Sequence, residues 1–227
     1  MLNGLYKVEY GVNDAFGRSI MCMHNGRLLG GNSAFAHLGT YQEVGGEILG
    51  EVITRRHNDD PYYKPLMDTD VAAISVRGSL LGNRIRFEGS AAPRPGALFW
   101  ANLTRLDDEA LPPVGTVGQA GIVNGLYSIH LRALDGIKAS LSGVMLLMDG
   151  RILGGDAFFY YLGSYSSAMA AGKARSSIRS TRRRRAKIPC SAATRLASDF
   201  PAPATRQARS SKPLRWPESA ACDWPPR

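Results

Sequence analysis

Cysteine is scarce: the 227 residues hold three, Cys22, Cys190 and Cys222. Only Cys22 lies in the part patterned for folding, so that part cannot be built on a disulfide framework, and a reduced, cytoplasmic setting is expected. Long apolar runs are missing as well. No stretch approaches the roughly 18 to 20 consecutive apolar residues of a membrane span, and the opening Met-Leu-Asn-Gly-Leu-Tyr lacks the basic segment and apolar core of a secretory signal. No association with a membrane is expected. The four histidines, His24, His37, His57 and His130, include no pair at metal-ligand spacing. Cys22 and His24 alternate on one strand, but two ligands do not make a zinc site. Ser33 sits in Gly-Asn-Ser-Ala-Phe, which is not the G-x-S-x-G elbow of a nucleophile. Gly30-Gly31 and Gly154-Gly155 lack the spacing of a phosphate-cradling loop. The expectation is a protein that is not an enzyme and carries no cofactor or metal.

The formal charge of +9 is concentrated at one end. Residues 1 to 172 contain 14 Lys and Arg against 16 Asp and Glu, and residues 173 to 227 contain 14 against 3. The net charges are therefore −2 and +11. The patterned part gives no sign of a nucleic-acid surface. The basic tail does, with Arg182, Arg183, Arg184 and Arg185 as its densest run, because phosphate contacts need only charge.

Self-comparison shows an internal repeat. Asn3-Gly4-Leu5-Tyr6 returns as Asn124-Gly125-Leu126-Tyr127. Asn25-Gly26-Arg27-Leu28-Leu29-Gly30-Gly31-Asn32 returns as Asp149-Gly150-Arg151-Ile152-Leu153-Gly154-Gly155-Asp156, and Leu38-Gly39-Thr40-Tyr41 as Leu162-Gly163-Ser164-Tyr165. The offset grows from 121 to 124 between the first block and the second, so copy two holds a three-residue insertion in the intervening loop or strand.

Each copy reads as strands. Tyr6 to Tyr10 alternates at period two, and the apolar runs ending at Asn25-Gly26 and Asp149-Gly150 meet the turn dipeptide of a two-residue hairpin. Ser33 to His37 reads as a helical turn, followed by strands near 46–56, 71–77, 84–88 and 98–106, with a turn at Gly82-Asn83. Small antiparallel strands in this order predict an all-β meander that closes into a barrel and so removes its edges. The domains expected are a barrel at 1–106, a Pro- and Gly-rich linker at 107–123, a truncated second copy at 124–167 and a disordered Arg/Ser/Ala/Pro-rich tail at 168–227. That tail composition also suits a shifted reading frame in a GC-rich gene. Three strands of copy two cannot close, so its edge is expected to pair with copy one, to pair with another chain or to remain an aggregation liability. The tyrosines Tyr6, Tyr10, Tyr41, Tyr127 and Tyr165 are expected to pack in or around the barrels.

The three blocks, in fixed order and present twice, resemble the GrlR-like family of negative regulators of type III secretion. The likeness covers about residues 3–106 and 124–165. It implies a lipocalin-like barrel, often a homodimer, that represses by binding a protein partner, a transcriptional activator. In one member of that family an exposed acidic run shortly after the Gly-Gly-Asp block is important for gripping the activator. Here the matching stretch, Gln42-Glu43-Val44-Gly45-Gly46-Glu47, keeps only Glu43 and Glu47. Two other functions stay open: a barrel that carries a small apolar ligand, which a cavity lined by small residues such as Ala72, Ala73 and Ala101 would favour and one filled by Tyr and Phe would oppose, and association with nucleic acid through the tail.

Overall fold

The computed structural model describes residues 2–60, 63–91, 94–106, 113–132, 140–168, 171–180 and 196–200, and no helix occurs among them. Eight antiparallel strands come first: β1 (Gly4–Val12), β2 (Ala15–His24), β3 (Arg27–Gly31), β4 (Phe35–Val44), β5 (Glu47–Arg56), β6 (Val71–Leu81), β7 (Arg84–Ala91) and β8 (Arg94–Arg105). Each pairs with the next and β8 pairs back onto β1, with Tyr6 opposite Arg105 and Val12 opposite Phe99, so the sheet closes into a barrel. Closure leaves no edge to template unwanted pairing. Side chains at Tyr6, Val8 and Val12 point inward with Met21, Met23, Ile74, Ile85, Phe87 and Leu103, which are all buried. The alternation that predicted the strands is the inward and outward alternation of the barrel wall.

The hairpin turns follow their sequence signals. Asn25 and Gly26 have φ of 47° and 76°, and Asp149 and Gly150 have 47° and 81°. Positive φ at both central residues is what a type I′ turn requires, and Asn, Asp and Gly adopt it at least cost. The stretch 33–37 is not helical: β4 begins at Phe35. Asn32 Oδ1 accepts hydrogen bonds from the Ala34 and Phe35 amides at 3.0 and 2.8 Å, which satisfies the tight bend without a helical turn.

The second repeat forms a curled sheet of six strands: β9 (Gly125–Arg132), β10 (Ser140–Met148), β11 (Arg151–Gly155), β12 (Phe159–Ala168), β13 (Ala171–Ser180) and β14 (Leu196–Phe200), in the order β14-β13-β12-β11-β10-β9. Two expectations need correction. The repeat does not stop at residue 167, and residues 171–180 and 196–200 are strands rather than a disordered tail. The pairing of Phe159 with Ser180 and of Ala168 with Ala171 reproduces that of Phe35 with Arg56 and of Val44 with Glu47. Backbone ladder bonds along β12 hold β13 in place without an alternating side-chain pattern, so nothing in its residues announces the strand. The rest of the tail, including Arg182 to Arg185, lies outside the described residues. The three-residue insertion falls between Arg132 and Ser140, since β9 and β10 keep the register of β1 and β2 (Arg132 opposite Ser140, as Gly11 opposite Phe16).

The two repeats meet by their outer faces, and no ladder joins the barrel to the second sheet among the described residues. Leu5, Ile20, Cys22, Leu29 and Leu38 on the outside of the barrel pack in one cluster with Leu126, Val144, Leu146, Leu153 and Leu162 on the outside of the sheet. These are the same five positions in each repeat. The contacts are reciprocal too: Val144 Cγ1 lies 3.0 Å from where a Cβ on Gly31 would sit, and Ile20 Cγ1 lies 2.6 Å from the same point on Gly155. Such self-complementary pairing is the signature of a twofold interface, here formed within one chain. The part of the linker that is described, 113–123, is itself packed. Ser167 N donates to Thr116 O at 2.9 Å, Gly118 N donates to Ser167 O at 2.8 Å, and Val117 and Ile122 lie against Leu147, Ile152 and Tyr165.

Candidate functional site

The barrel interior divides into two halves. Tyr6, Met23, Tyr41, Ile48 and Ile85 fill the end that carries the turns at 25–26, 45–46 and 82–83. The other half encloses a cavity of about 760 Å³, the volume of roughly 25 waters at liquid density and within the usual range for a small-molecule site. Its walls are mainly apolar: Val8, Met21, Leu28, Val52, Ile74 and Phe99 contribute, with Ala72 and Ala101 leaving space where larger residues would fill it. Ala73 does not take part, because it points outward between Ala72 and Ile74 and is exposed.

Three connections shape the mouth. The β1–β2 hairpin brings Phe16 and Arg18. The longer β5–β6 connection brings Tyr63, Lys64 and Met67, and Met67 is buried against the core. Arg56 fastens this connection from below, with Nε 2.6 Å from Asp70 Oδ1 and guanidinium contacts to Tyr63 O at 3.3 and 3.4 Å. The second repeat supplies the third part: Ala157 and Phe158, between β11 and β12, reach across and line the same cavity. His57 Nδ1 lies 2.7 Å from Ser128 Oγ and His57 Nε2 3.0 Å from Asn32 O, which ties the second repeat to this end of the barrel.

One side of the cavity wall is polar. Tyr10, Ser19, Asn32, His37 and Thr54 line it. Asn32 Nδ2 donates to Tyr10 Oη at 3.1 Å and to Arg18 O at 3.0 Å, and His37 Nδ1 lies 3.1 Å from Thr54 Oγ1. The His37 ring meets the Tyr10 ring edge-on, with centroids 5.7 Å apart. Burial first, and His57 second, push the His37 pKa down to about 4. Burial first, and then Tyr63, raise that of Tyr10. Both groups are thus neutral at pH 7. A histidine that is protonated only near pH 4 is a poor general base at neutral pH, so the cluster is suited to hydrogen bonding rather than proton transfer.

The residues singled out from sequence are distributed away from this cavity. Asn25, Gly26, Asp149 and Gly150 make the turns described above. A Cβ on Gly30 would stand 2.0 Å from Ile20 O, and Gly31, Gly154 and Gly155 are equally crowded against the paired backbone, so these glycines allow strands to approach. Asp156 repeats the role of Asn32: its Oδ1 accepts from the Phe158 and Phe159 amides at 2.6 and 2.8 Å, and its Oδ2 accepts from Tyr161 Oη at 2.7 Å. Glu43 and Glu47 flank the β4–β5 turn at the closed end of the barrel. Glu43 Oε1 accepts from Leu2 N at 2.6 Å, and Glu47 Oε2 lies 3.6 Å from Arg77 Nε. Ser19, His37, Tyr63 and Phe158 were not anticipated as site residues. The one sign of Ser19 was a hydroxyl at an inward position of an otherwise apolar strand; Phe158 gave none, since its placement depends on how the repeats dock.

Among the described residues no group of three or more His, Cys, Asp and Glu could hold a metal ion, and no helix is long and apolar enough to cross a membrane. No protein-family model matches the chain, and no curated protein matches it.

Proposed function

We propose that the chain is a non-enzymatic binding protein that holds a small apolar ligand inside its first barrel. The observation that carries this reading is the 760 Å³ cavity, walled by apolar side chains with a few convergent polar groups. A barrel evolved only as a scaffold would fill that half with larger side chains, as the other half is filled by Tyr6, Met23 and Tyr41. Titration with a solvatochromic dye tests it. Blue-shifted emission with one site per chain is expected, weakened by Ala101→Phe, which fills the cavity. Emission unchanged from that in buffer would reject the reading.

A second reading follows from the likeness to the GrlR-like regulators: a cytoplasmic repressor that binds a transcriptional activator. The β4–β5 hairpin favours it, because its tip projects an exposed Val44 between Glu43 and Glu47. Both carboxylates already have partners in the chain, and exposed ion pairs are worth at most about 1 kcal/mol. Their contribution to affinity is therefore small, and their main effect is on encounter rate. The double variant Glu43→Gln, Glu47→Gln should lower the association rate with the activator a few-fold at low salt. Loss of the effect when salt is raised is expected; an unchanged rate at low salt would remove the hairpin from this role.

A further inference from the structure

We infer that the barrel selects ligands whose apolar body carries a neutral hydrogen-bonding oxygen, a hydroxyl or a carbonyl, held by Ser19 and His37. This rests on the reading of the barrel as a ligand site. Two buried polar atoms on residues that line the cavity have no hydrogen-bond partner among the described residues: Ser19 Oγ and His37 Nε2. Their residues are 2% and 6% exposed. An unmade hydrogen bond at a buried group costs more than an average hydrogen bond gains, so two orphans on one wall are a standing penalty that a bound oxygen removes.

The two residues line the same cavity from β2 and β4. Gly17 pairs with Tyr10 across β1 and β2, and Ser19 is the next inward position along β2. The Tyr10 ring stands against Gly17 on one side and meets His37 on the other. Ser19 can donate and accept, and a neutral imidazole offers one donor and one acceptor nitrogen. A hydroxyl satisfies either tautomer of His37; a carbonyl takes the hydrogen of Ser19.

Charge argues against an acidic head group at this depth. The cationic residues that line the cavity, Arg18 and Lys64, belong to its rim, with Asp60 on the same rim. Arg18 is already held by Glu9 Oε1 at 3.6 Å and lies over the Phe16 ring at 4.8 Å. A carboxylate beside neutral His37 would give up its hydration for hydrogen bonds without a counter-charge, which is unfavourable.

Displacement of a solvatochromic dye from the full chain by decane, 1-decanol, 2-decanone and decanoate tests the inference. Decanol and decanone should displace it at concentrations about tenfold below decane, after correction for their partition into water, with decanoate weaker than decanol. Ser19→Ala and His37→Phe should each weaken the two neutral oxygen ligands about fivefold, the worth of one neutral hydrogen bond, and leave decane unchanged. Retained decane affinity shows that the variants still fold. Ser19→Thr, which keeps the hydroxyl, should restore decanol binding. Equal corrected affinities for decane and decanol would overturn the inference and leave the ligand site standing. Tightest binding by decanoate would also overturn it and assign recognition to Arg18 and Lys64. A dye that never binds would remove the site and the inference with it.

Discussion

Ile20→Ala tests the docking of the two repeats directly. Ile20 sits on the outer face of β2, where an isolated barrel would expose it to water, yet it is 1% exposed because the second sheet covers it. At a solvent-facing strand position the substitution would change stability by less than about 0.5 kcal/mol. In a dry interface it removes buried methyl and methylene groups and leaves a cavity, with a typical cost of about 2–5 kcal/mol for isoleucine to alanine. The crowding at Gly155, where Ile20 Cγ1 closes the space above the glycine, leaves little slack for collapse and places the cost at about 3 kcal/mol. Urea denaturation of the full chain, followed by tryptophan fluorescence, reads the difference. Val144→Ala, at the equivalent position of the other repeat and 0% exposed, should lower the same transition. The double variant should lose less than the sum, because both side chains belong to one cluster. A loss below about 0.5 kcal/mol for Ile20→Ala would refute the docked arrangement.

Other consequences can be measured independently. His37 has a folded-state pKa pushed down to about 4 from an ordinary 6.5. The unfolded chain then binds the extra proton between those values, so stability is full above pH 6.5 and falls toward pH 4. The loss is about 3 kcal/mol, and the urea midpoint of wild type should fall more steeply as the pH drops than that of His37→Phe; parallel curves would contradict it. Burial pushes the Cys22 thiol up to about 12, so thiol-specific alkylation of the native chain at pH 8, mapped by mass spectrometry, should spare Cys22 until denaturant is added. Asp156→Ala strands the Phe158 and Phe159 amides and the Tyr161 hydroxyl; a loss of about 3 kcal/mol is expected from the second repeat, with a smaller loss for Asp156→Asn. Phe158→Ala removes the second repeat's side chain from the cavity mouth and should speed dye release several-fold in stopped flow without changing its emission maximum.

Where the chain uses local rules, its sequence is informative. Asn25-Gly26 and Asp149-Gly150 announce their turns because few other residues adopt positive φ twice in succession. Alternation in Tyr6 to Tyr10 and Arg84 to Glu88 marks walls with one buried face. The cavity was legible only in part. Ala72 and Ala101 line it, but Ala73, named beside them as a condition for a ligand cavity, faces out, because a single step along a strand changes face. The docked face was not legible at all: Leu5, Ile20, Leu29 and Leu38 looked like ordinary apolar strand residues, and their partners lie more than a hundred positions away. Strand β13 shows the opposite limit, since backbone pairing along β12 needs no particular side chains and leaves no pattern to read.

Docking through equivalent faces also explains how an unclosed repeat can persist beside a closed one. An open sheet exposes two apolar surfaces and two edges, each a liability. Here the outer surface is buried against the barrel by Leu126, Val144, Leu146, Leu153 and Leu162. The concave surface around Leu147, Ile152 and Tyr165 is covered from within the chain by Val117 and Ile122 of the connecting segment. The edge of β12 that pairs in the barrel with β5 is taken by β13. Covalent linkage makes the docking intramolecular, so the second repeat sees the barrel face at a high effective concentration that no separate copy matches. The same geometry carries Phe158 to the cavity mouth. On the proposed reading of the barrel as a ligand site, the second repeat bears on that site by covering one wall of the barrel from outside and lining its entrance with Ala157 and Phe158.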